Sequence, residues 1–329
     1  MKNVFVTGGA GYVGSVLVPK LIIRGFDVRV LDLMMFGSKG LDSVKEKCEI
    51  IRGDIRDSRL VERCLSGFDS VVHLAAISND PCSDLNPKLT EEINLEATKN
   101  LVKSARKMDV RRFIYASTSS VYGIREEQNV TEELQLKPLT IYSETKAKSE
   151  VFVREANTKD FTTVILRPAT VCGYSPRMRL DLTVNILTEQ AINKGKITVF
   201  GGKQKRPNIH IEDITDYYID LLDIKKEKIA GETFNAGYEN HTVLQIAEMI
   251  RGIIGDVEIV VTETDDLRSY HISSEKIKDK LGLFPRKTIK DAVIDLKYAF
   301  SQGLIPNPSD TIYRNIARMK EIGAEGLLK

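Results

Sequence analysis

The chain opens with short apolar bursts separated by polar stretches of helical spacing. Val4-Phe5-Val6 is a β-branched and aromatic run that ends at Thr7 in a cluster of glycines. From Val13 to Ile23 the apolar residues then recur at the spacing of a helix face. Strand, tight turn and helix follow one another, and the order repeats. Asp27 to Leu31, Ile50-Ile51, Ser70 to Leu74, Arg112 to Ala116 and Thr163 to Leu166 read as further strands. Helical patterns around 57–66, 90–108 and 143–157 fall between several of them. Strands that alternate with helices predict an α/β fold, a doubly wound parallel sheet covered on both faces.

Beyond Pro168 the pattern shifts to loop-rich basic segments and shorter elements. This predicts a first domain over 1–168 and a smaller C-terminal lobe over 169–329. Thr233 to Ala236 reads as one more buried strand, so the part near 207–240 is expected to return to the first domain. There is no internal repeat, and the tail after Ser301 reads as polar and helical.

Composition narrows the function. In 329 residues the net charge is only +2, so there is no broad electrostatic footprint for nucleic acid or an anionic membrane. An anionic ligand must be held by a local site. Cys48, Cys64, Cys82 and Cys172 form no close pair and have no histidine at metal-ligand spacing, which predicts reduced thiols and no metal. Lys20 and Arg24 interrupt the long apolar stretch near the start, short of the ~20 residues a membrane-spanning helix needs. The first residues also make a poor signal peptide, and a cytoplasmic protein is expected.

Thr7-Gly8-Gly9-Ala10-Gly11-Tyr12-Val13-Gly14 places glycines at 8, 11 and 14 between a predicted strand and a predicted helix. That is the setting of a dinucleotide-binding turn: one glycine permits the turn, one lets the backbone approach a pyrophosphate, and one lets helix and strand pack closely. Asp32 follows 18 residues after Gly14, at the end of the second strand, where a carboxylate can accept the adenosine ribose hydroxyls and repel a 2′-phosphate. NAD is the expected cofactor.

In Ile141-Tyr142-Ser143-Glu144-Thr145-Lys146 a tyrosine and a lysine stand four residues apart, on one face of the predicted helix. Such pairs are common on helix surfaces. A catalytic tyrosine, however, needs a nearby cation to favour its phenolate, and Lys146 can supply one. Ser117-Thr118-Ser119-Ser120-Val121-Tyr122-Gly123 follows the Arg112 to Ala116 strand, at the carboxyl edge where a parallel sheet forms its ligand crevice.

With these segments in order, the chain resembles the extended short-chain dehydrogenase/reductases, in particular their NAD-dependent nucleotide-sugar epimerase/dehydratase group. The residues that carry the resemblance are TGGAGYVGS from Thr7, LD at 31 and 32, GDIRD from Gly53, HLAA from His73, STSSVYG from Ser117, Tyr142 with Lys146, LRPATVCG from Leu166 and RPNIHIED from Arg206. The resemblance implies a Rossmann-type fold. It also implies that Gly8, Gly11, Tyr12, Val13 and Gly14 hold the pyrophosphate turn, that Asp32 meets the ribose, and that Asp54 and Ile55 flank the adenine. Leu74, Ala75 and Ala76 would line the groove. Tyr142 would be the catalytic base, Lys146 its partner and a ligand of the nicotinamide ribose, and Thr118 the hydroxyl that orients the substrate.

A nucleotide-diphosphate sugar is the implied substrate, with Arg179, Asp181, Arg206 and Arg268 as its candidate ligands. The group's 4,6-dehydratases carry an Asp-Glu pair where this chain has Ser119-Ser120. Its UDP-glucuronate decarboxylases place a glutamate, and its GDP-4-keto-6-deoxymannose epimerase/reductases a cysteine, at Ser120. By subtraction, the resemblance favours 4-epimerisation through transient C4 oxidation, in the service of a surface glycan. Net 4-oxidoreduction and a non-catalytic NAD-binding sensor are the alternatives. Cys172, Pro207 and Asn79-Asp80-Pro81 depart from the group's usual residues, which leaves the sugar and base open. A homodimer through the helices near 90–108 and 143–157 is implied as well.

Overall fold

The computed structural model of the chain describes residues 2–127, 129–264 and 271–326. Twelve strands occur among them: β1 Asn3–Thr7, β2 Asp27–Asp32, β3 Glu49–Arg52, β4 Ser70–His73, β5 Arg112–Ala116, β6 Thr162–Pro168, β7 Thr170–Cys172, β8 Lys196–Phe200, β9 Lys205–His210, β10 Glu232–Ala236, β11 Glu239–Thr242 and β12 Glu258–Thr262. Seven of them form one all-parallel sheet in the order β3-β2-β1-β4-β5-β6-β10. The strand order reverses between β1 and β4, and a crevice opens at the carboxyl end of such a switch. Register fixes what meets there. Thr7 pairs with both Leu31 and His73, His73 with Tyr115, and Ala116 with Leu166, so the turns after β1, β2, β4 and β5 share one edge.

Both faces of the sheet are buried. Val4, Val6, Val30, Val72 and Ile114 pack on one side, and Phe5, Leu31, Val71, Phe113 and Ile165 on the other. The predicted 90–108 helix is three pieces: Pro87–Glu91, a π-helical turn Glu92–Glu96, and Ala97–Lys107. The π turn lets Asn94 bridge to the loop after β4. Its Oδ1 accepts from Ile77 N at 2.8 Å and its Nδ2 donates to Ile77 O at 2.9 Å.

The predicted 143–157 helix is Ile141–Glu155, starting two residues earlier because Thr140 and Ser143 form a reciprocal cap. Beyond Pro168, β7, β9 and β11 make a small mixed sheet, and β8 with β12 a parallel pair. The helices Thr183–Lys194, Val243–Ile254 and Ile289–Ser301 pack around a separate apolar cluster that includes Val199, Ile246 and Val293. β10 joins the first sheet beside β6. Among the described residues no helix is long and apolar enough to cross a membrane.

One polar network ties the helix Ile141–Glu155 to the sheet. Glu150 is fully buried, and Arg167 on β6 grips it with Nε to Oε1 at 2.9 Å and Nη2 to Oε2 at 2.6 Å. Arg167 Nη1 also donates to Tyr122 Oη at 2.7 Å, Tyr122 donates to Asn235 Oδ1 at 2.7 Å, and Ser117 donates to Glu150. Removing one partner of a buried pair strands the other charge. Glu150→Ala should lower the urea-unfolding free energy by about 3–5 kcal/mol, the largest loss of any single substitution on that helix away from its apolar contacts.

Candidate functional site

The turn after β1 runs straight into the helix Gly14–Ile23, whose N-terminus lines the crevice. Gly8 has φ +75°, and a Cβ there would lie 2.6 Å from Ala75 N; a Cβ on Gly14 would lie 2.5 Å from Gly8 O. These two glycines are close-approach positions. A Cβ on Gly11 would meet only Gly8 O, at 3.1 Å, so the middle glycine presents open backbone to the cavity. A pyrophosphate fits that arrangement of bare backbone and helix N-terminus.

The cavity holds about 380 Å³ and is lined by the glycine turn, Asp32, Asp54, Ile55, Leu74, Ala75, Ala76, Thr118, Tyr142 and Lys146 together. Every position expected at the cofactor or the chemistry therefore reaches one space. Asp32 sits at its rim, with Oδ2 accepting from Ala10 N at 2.9 Å and Oδ1 from Met34 N at 2.8 Å. Burial pushes its carboxyl pKa up, while those two N–H groups and the Arg177 guanidinium pull the other way. Tyr12 contributes backbone to the turn but aims its ring at the second lobe. Its hydroxyl donates to Gly173 O at 2.7 Å and accepts from Asn185 Nδ2 at 3.1 Å.

At the other end, Tyr142 and Lys146 lie one helical turn apart and both face the cavity. Lys146 is buried, donates from Nζ to Ala116 O at 2.8 Å and lies 4.9 Å from the centre of the Tyr115 ring. Burial pushes its pKa down to about 7, against the pull of the Glu150 carboxylate. Thr118 caps the short turn Ser119–Tyr122 by accepting from Ser120 N at 3.2 Å. Ser119, Ser120 and Asp80 line the same end, and Thr140, the cap of the helix Ile141–Glu155, donates to Asp80 Oδ1 at 2.6 Å.

The residues expected at the nucleotide separate. Arg179 and Asp181 form an ion pair at 2.9 Å, and Arg179 Nη1 also lies 3.4 Å from Ser78 Oγ. Burial would raise the Asp181 pKa, but Arg179 outweighs it and holds the carboxyl low. Arg179 lines the main cavity, whereas Asp181 and Arg206 line a smaller pocket that shares Asn79, Asp80, Ser120 and Thr170 with it. Arg268 lies outside the described residues.

The wall also includes Arg177, two positions before Arg179, and Asn315, in the tail that carried no motif. The first belongs to the Ser175–Leu182 segment that also holds Arg179 and Asp181. Nothing in the sequence pointed to the second.

Residues 4–237 match the model of the NAD dependent epimerase/dehydratase family. The chain belongs to that family, and is an NAD-dependent enzyme. It is 30% identical over 314 residues to a UDP-glucose 4-epimerase of Lactobacillus helveticus, covering 89% of this chain and 94% of that one. Among solved structures it is similar to the UDP-glucose 4-epimerase of Thermotoga maritima with UDP-glucose. That likeness has a TM-score of 0.82 and 26% identity, over 92% of this chain and 99% of that one. The dTDP-glucose 4,6-dehydratase of Streptomyces venezuelae, with NAD bound, is similar at a TM-score of 0.81 and 25% identity, over 92% and 98%.

Lys146 gives the site a pH signature. Its folded pKa of about 7 lies below that of an unfolded lysine, so between the two values the unfolded chain binds the extra proton and stability rises with pH. The slope from this residue is up to about 1.4 kcal/mol per pH unit. Urea unfolding of the cofactor-free protein should give a larger free energy at pH 8.5 than at pH 7, and Lys146→Met should flatten the difference.

Proposed function

We propose that this enzyme is a nucleotide-sugar 4-epimerase. The observation that carries the reading is one cavity lined by the glycine turn, Asp32, Thr118, Tyr142 and Lys146, with serines at the two positions after Thr118. Residues 1–168 serve as the cofactor unit and 169–329 mainly as the substrate lobe, except where β10 rejoins the first sheet. NAD, when bound, supplies a hydride acceptor that later returns the hydride.

The chain's own residues do the rest. Thr118 donates to or accepts from the C4 hydroxyl and sets its direction toward Tyr142. Tyr142 removes that proton as C4 becomes a ketone, and gives it back when the hydride returns to the opposite face of the turned sugar. The Lys146 ammonium favours the phenolate that Tyr142 needs. Ser119 and Ser120 provide hydroxyls and no carboxylate, so they do not assist loss of water. Asp80, anchored through Thr140, accepts from a sugar hydroxyl at the mouth between the two pockets.

Arg179 and Arg206 face the nucleotide diphosphate, for which guanidinium groups are suited. The relatives' UDP-sugars make a UDP-hexose the first substrate to try. The reading also has the enzyme working in the cytoplasm as a homodimer, which size-exclusion chromatography with light scattering checks directly.

Incubation with UDP-, GDP-, CDP- and dTDP-sugars, with product analysis, tests the assignment. A C4-inverted product with little net nicotinamide reduction supports it; stoichiometric reduced nicotinamide with a free 4-keto sugar makes the enzyme a 4-oxidoreductase. Tyr142→Phe should lose turnover by about 10²–10⁴-fold while its NAD content is unchanged, and full activity in that variant would remove Tyr142 from the mechanism. Asp80→Asn should raise KM for the sugar nucleotide more than it lowers kcat.

A further inference from the structure

Arg177 stands out in the wall of the main cavity. It is 5% exposed, and two of its nitrogens, Nε and Nη1, have no hydrogen-bond partner among the described residues. The third, Nη2, donates to Asn315 Oδ1 at 2.6 Å, and the guanidinium carbon lies 3.8 Å from the centre of the Phe36 ring. A buried cation with unmatched N–H groups is costly, and burial lowers its pKa to about 9. The side chain is nevertheless held in place. Phe36 supports the guanidinium, and Asn315 is itself fixed, with N donating to Asp181 Oδ2 at 2.9 Å and Nδ2 to Ser78 Oγ at 3.1 Å.

Two carboxylates act on the Arg177 charge, Asp181 more than Asp32, yet neither is paired with it: Asp181 is held by Arg179 and Asn315 N, and Asp32 spends both oxygens on Ala10 N and Met34 N. The N–H groups of these two nitrogens are thus left without a partner in the wall of the cavity. Asp32 marks that end as the adenosine end of the cofactor groove.

We propose that Arg177, fixed by Asn315 and Phe36, is the retaining contact for the adenosine half of NAD, with Nε and Nη1 donating to oxygens on its ribose side. This rests on the reading of the cavity given above and deepens it. Epimerisation requires the hydride to return to the sugar that lost it, so the cofactor must outstay the whole cycle. Asn315 belongs to the helix Asn315–Gly326, which is tied down again by Arg318 Nε donating to Met35 O at 3.2 Å and by Met319, buried in the first core. The segment from 315 onward therefore acts as the outer half of a clasp over the adenosine site.

The test compares wild type, Arg177→Gln, Asn315→Ala and Tyr142→Phe, each purified and stripped of cofactor, then reloaded with NAD. The measurements are the rate of NAD release after rapid dilution and the melting temperature with and without NAD. The proposal expects release at least tenfold faster from Arg177→Gln, a smaller but clear acceleration from Asn315→Ala, and none from Tyr142→Phe.

It also expects the cofactor-free melting temperature of Arg177→Gln to equal or exceed that of wild type, because a stranded buried charge has been removed, while the NAD-induced rise shrinks. An unchanged release rate in Arg177→Gln overturns the clasp and leaves the epimerase reading intact. So does a lower cofactor-free melting temperature with the full NAD-induced rise, which is the signature of a purely structural residue. Wild type that binds no NAD at all would sink the reading of the cavity itself.

Discussion

A carboxylate with no water around it stays in a protein core only where a cation and further donors meet it, and Glu150 meets that condition through Arg167 and Ser117. The arrangement has a geometric consequence. Glu150 lies one turn beyond Lys146 on the helix Ile141–Glu155, and Ser117 lies between Ala116, whose carbonyl receives Lys146, and Thr118. The helix and the strand end that carry the proposed proton-transfer groups are thereby fixed to one another beneath the cavity floor. Arg167 extends the same constraint through Tyr122 to Asn235 on β10, the strand that arrives from beyond the second lobe. The network holds the site's floor while leaving the opposite wall to be chosen separately.

That separation of floor and wall matches how the cavity is assembled. The glycine-turn end and the Tyr142 end both come from the carboxyl edge of one sheet, where strand register dictates position. The smaller pocket gathers Asp80, Ser120, Thr170 and Arg206 from segments far apart in the chain, outside the register of the large sheet. Relatives of this chain that act as epimerases and as dehydratases share its fold, as such a division permits.

The same division explains how much was legible in the sequence. Strands β1, β2, β4, β5 and β6 and the glycine turn announce themselves, because a strand buried on both faces is an apolar run and a turn with φ +75° at Gly8 wants glycine. The position of Tyr142 relative to Lys146 follows from helical spacing alone. The Arg179–Asp181 pairing did not, since two oppositely charged residues in a loop read as two independent ligands. Arg177 looked like any basic residue until burial singled it out, and Asn315 is an ordinary polar residue whose importance comes from where a distant chain segment happens to pack. The start of the helix Ile141–Glu155 shifted because a reciprocal cap between Thr140 and Ser143 is a two-residue event that apolar periodicity does not register.

The π turn at Glu92–Glu96 carries a consequence for how this lineage can vary. Each residue of an α-helix advances the chain by about 100° around its axis, so the extra residue in the π turn re-aims everything on one side of it relative to the other. Asn94 meets Ile77 in both directions only with that residue present. Deleting one amino acid there would turn Leu89 and its neighbours away from the core, or pull Asn94 from the loop beside the cavity. Along this helix a change of length therefore disturbs more contacts than a substitution at an exposed position does.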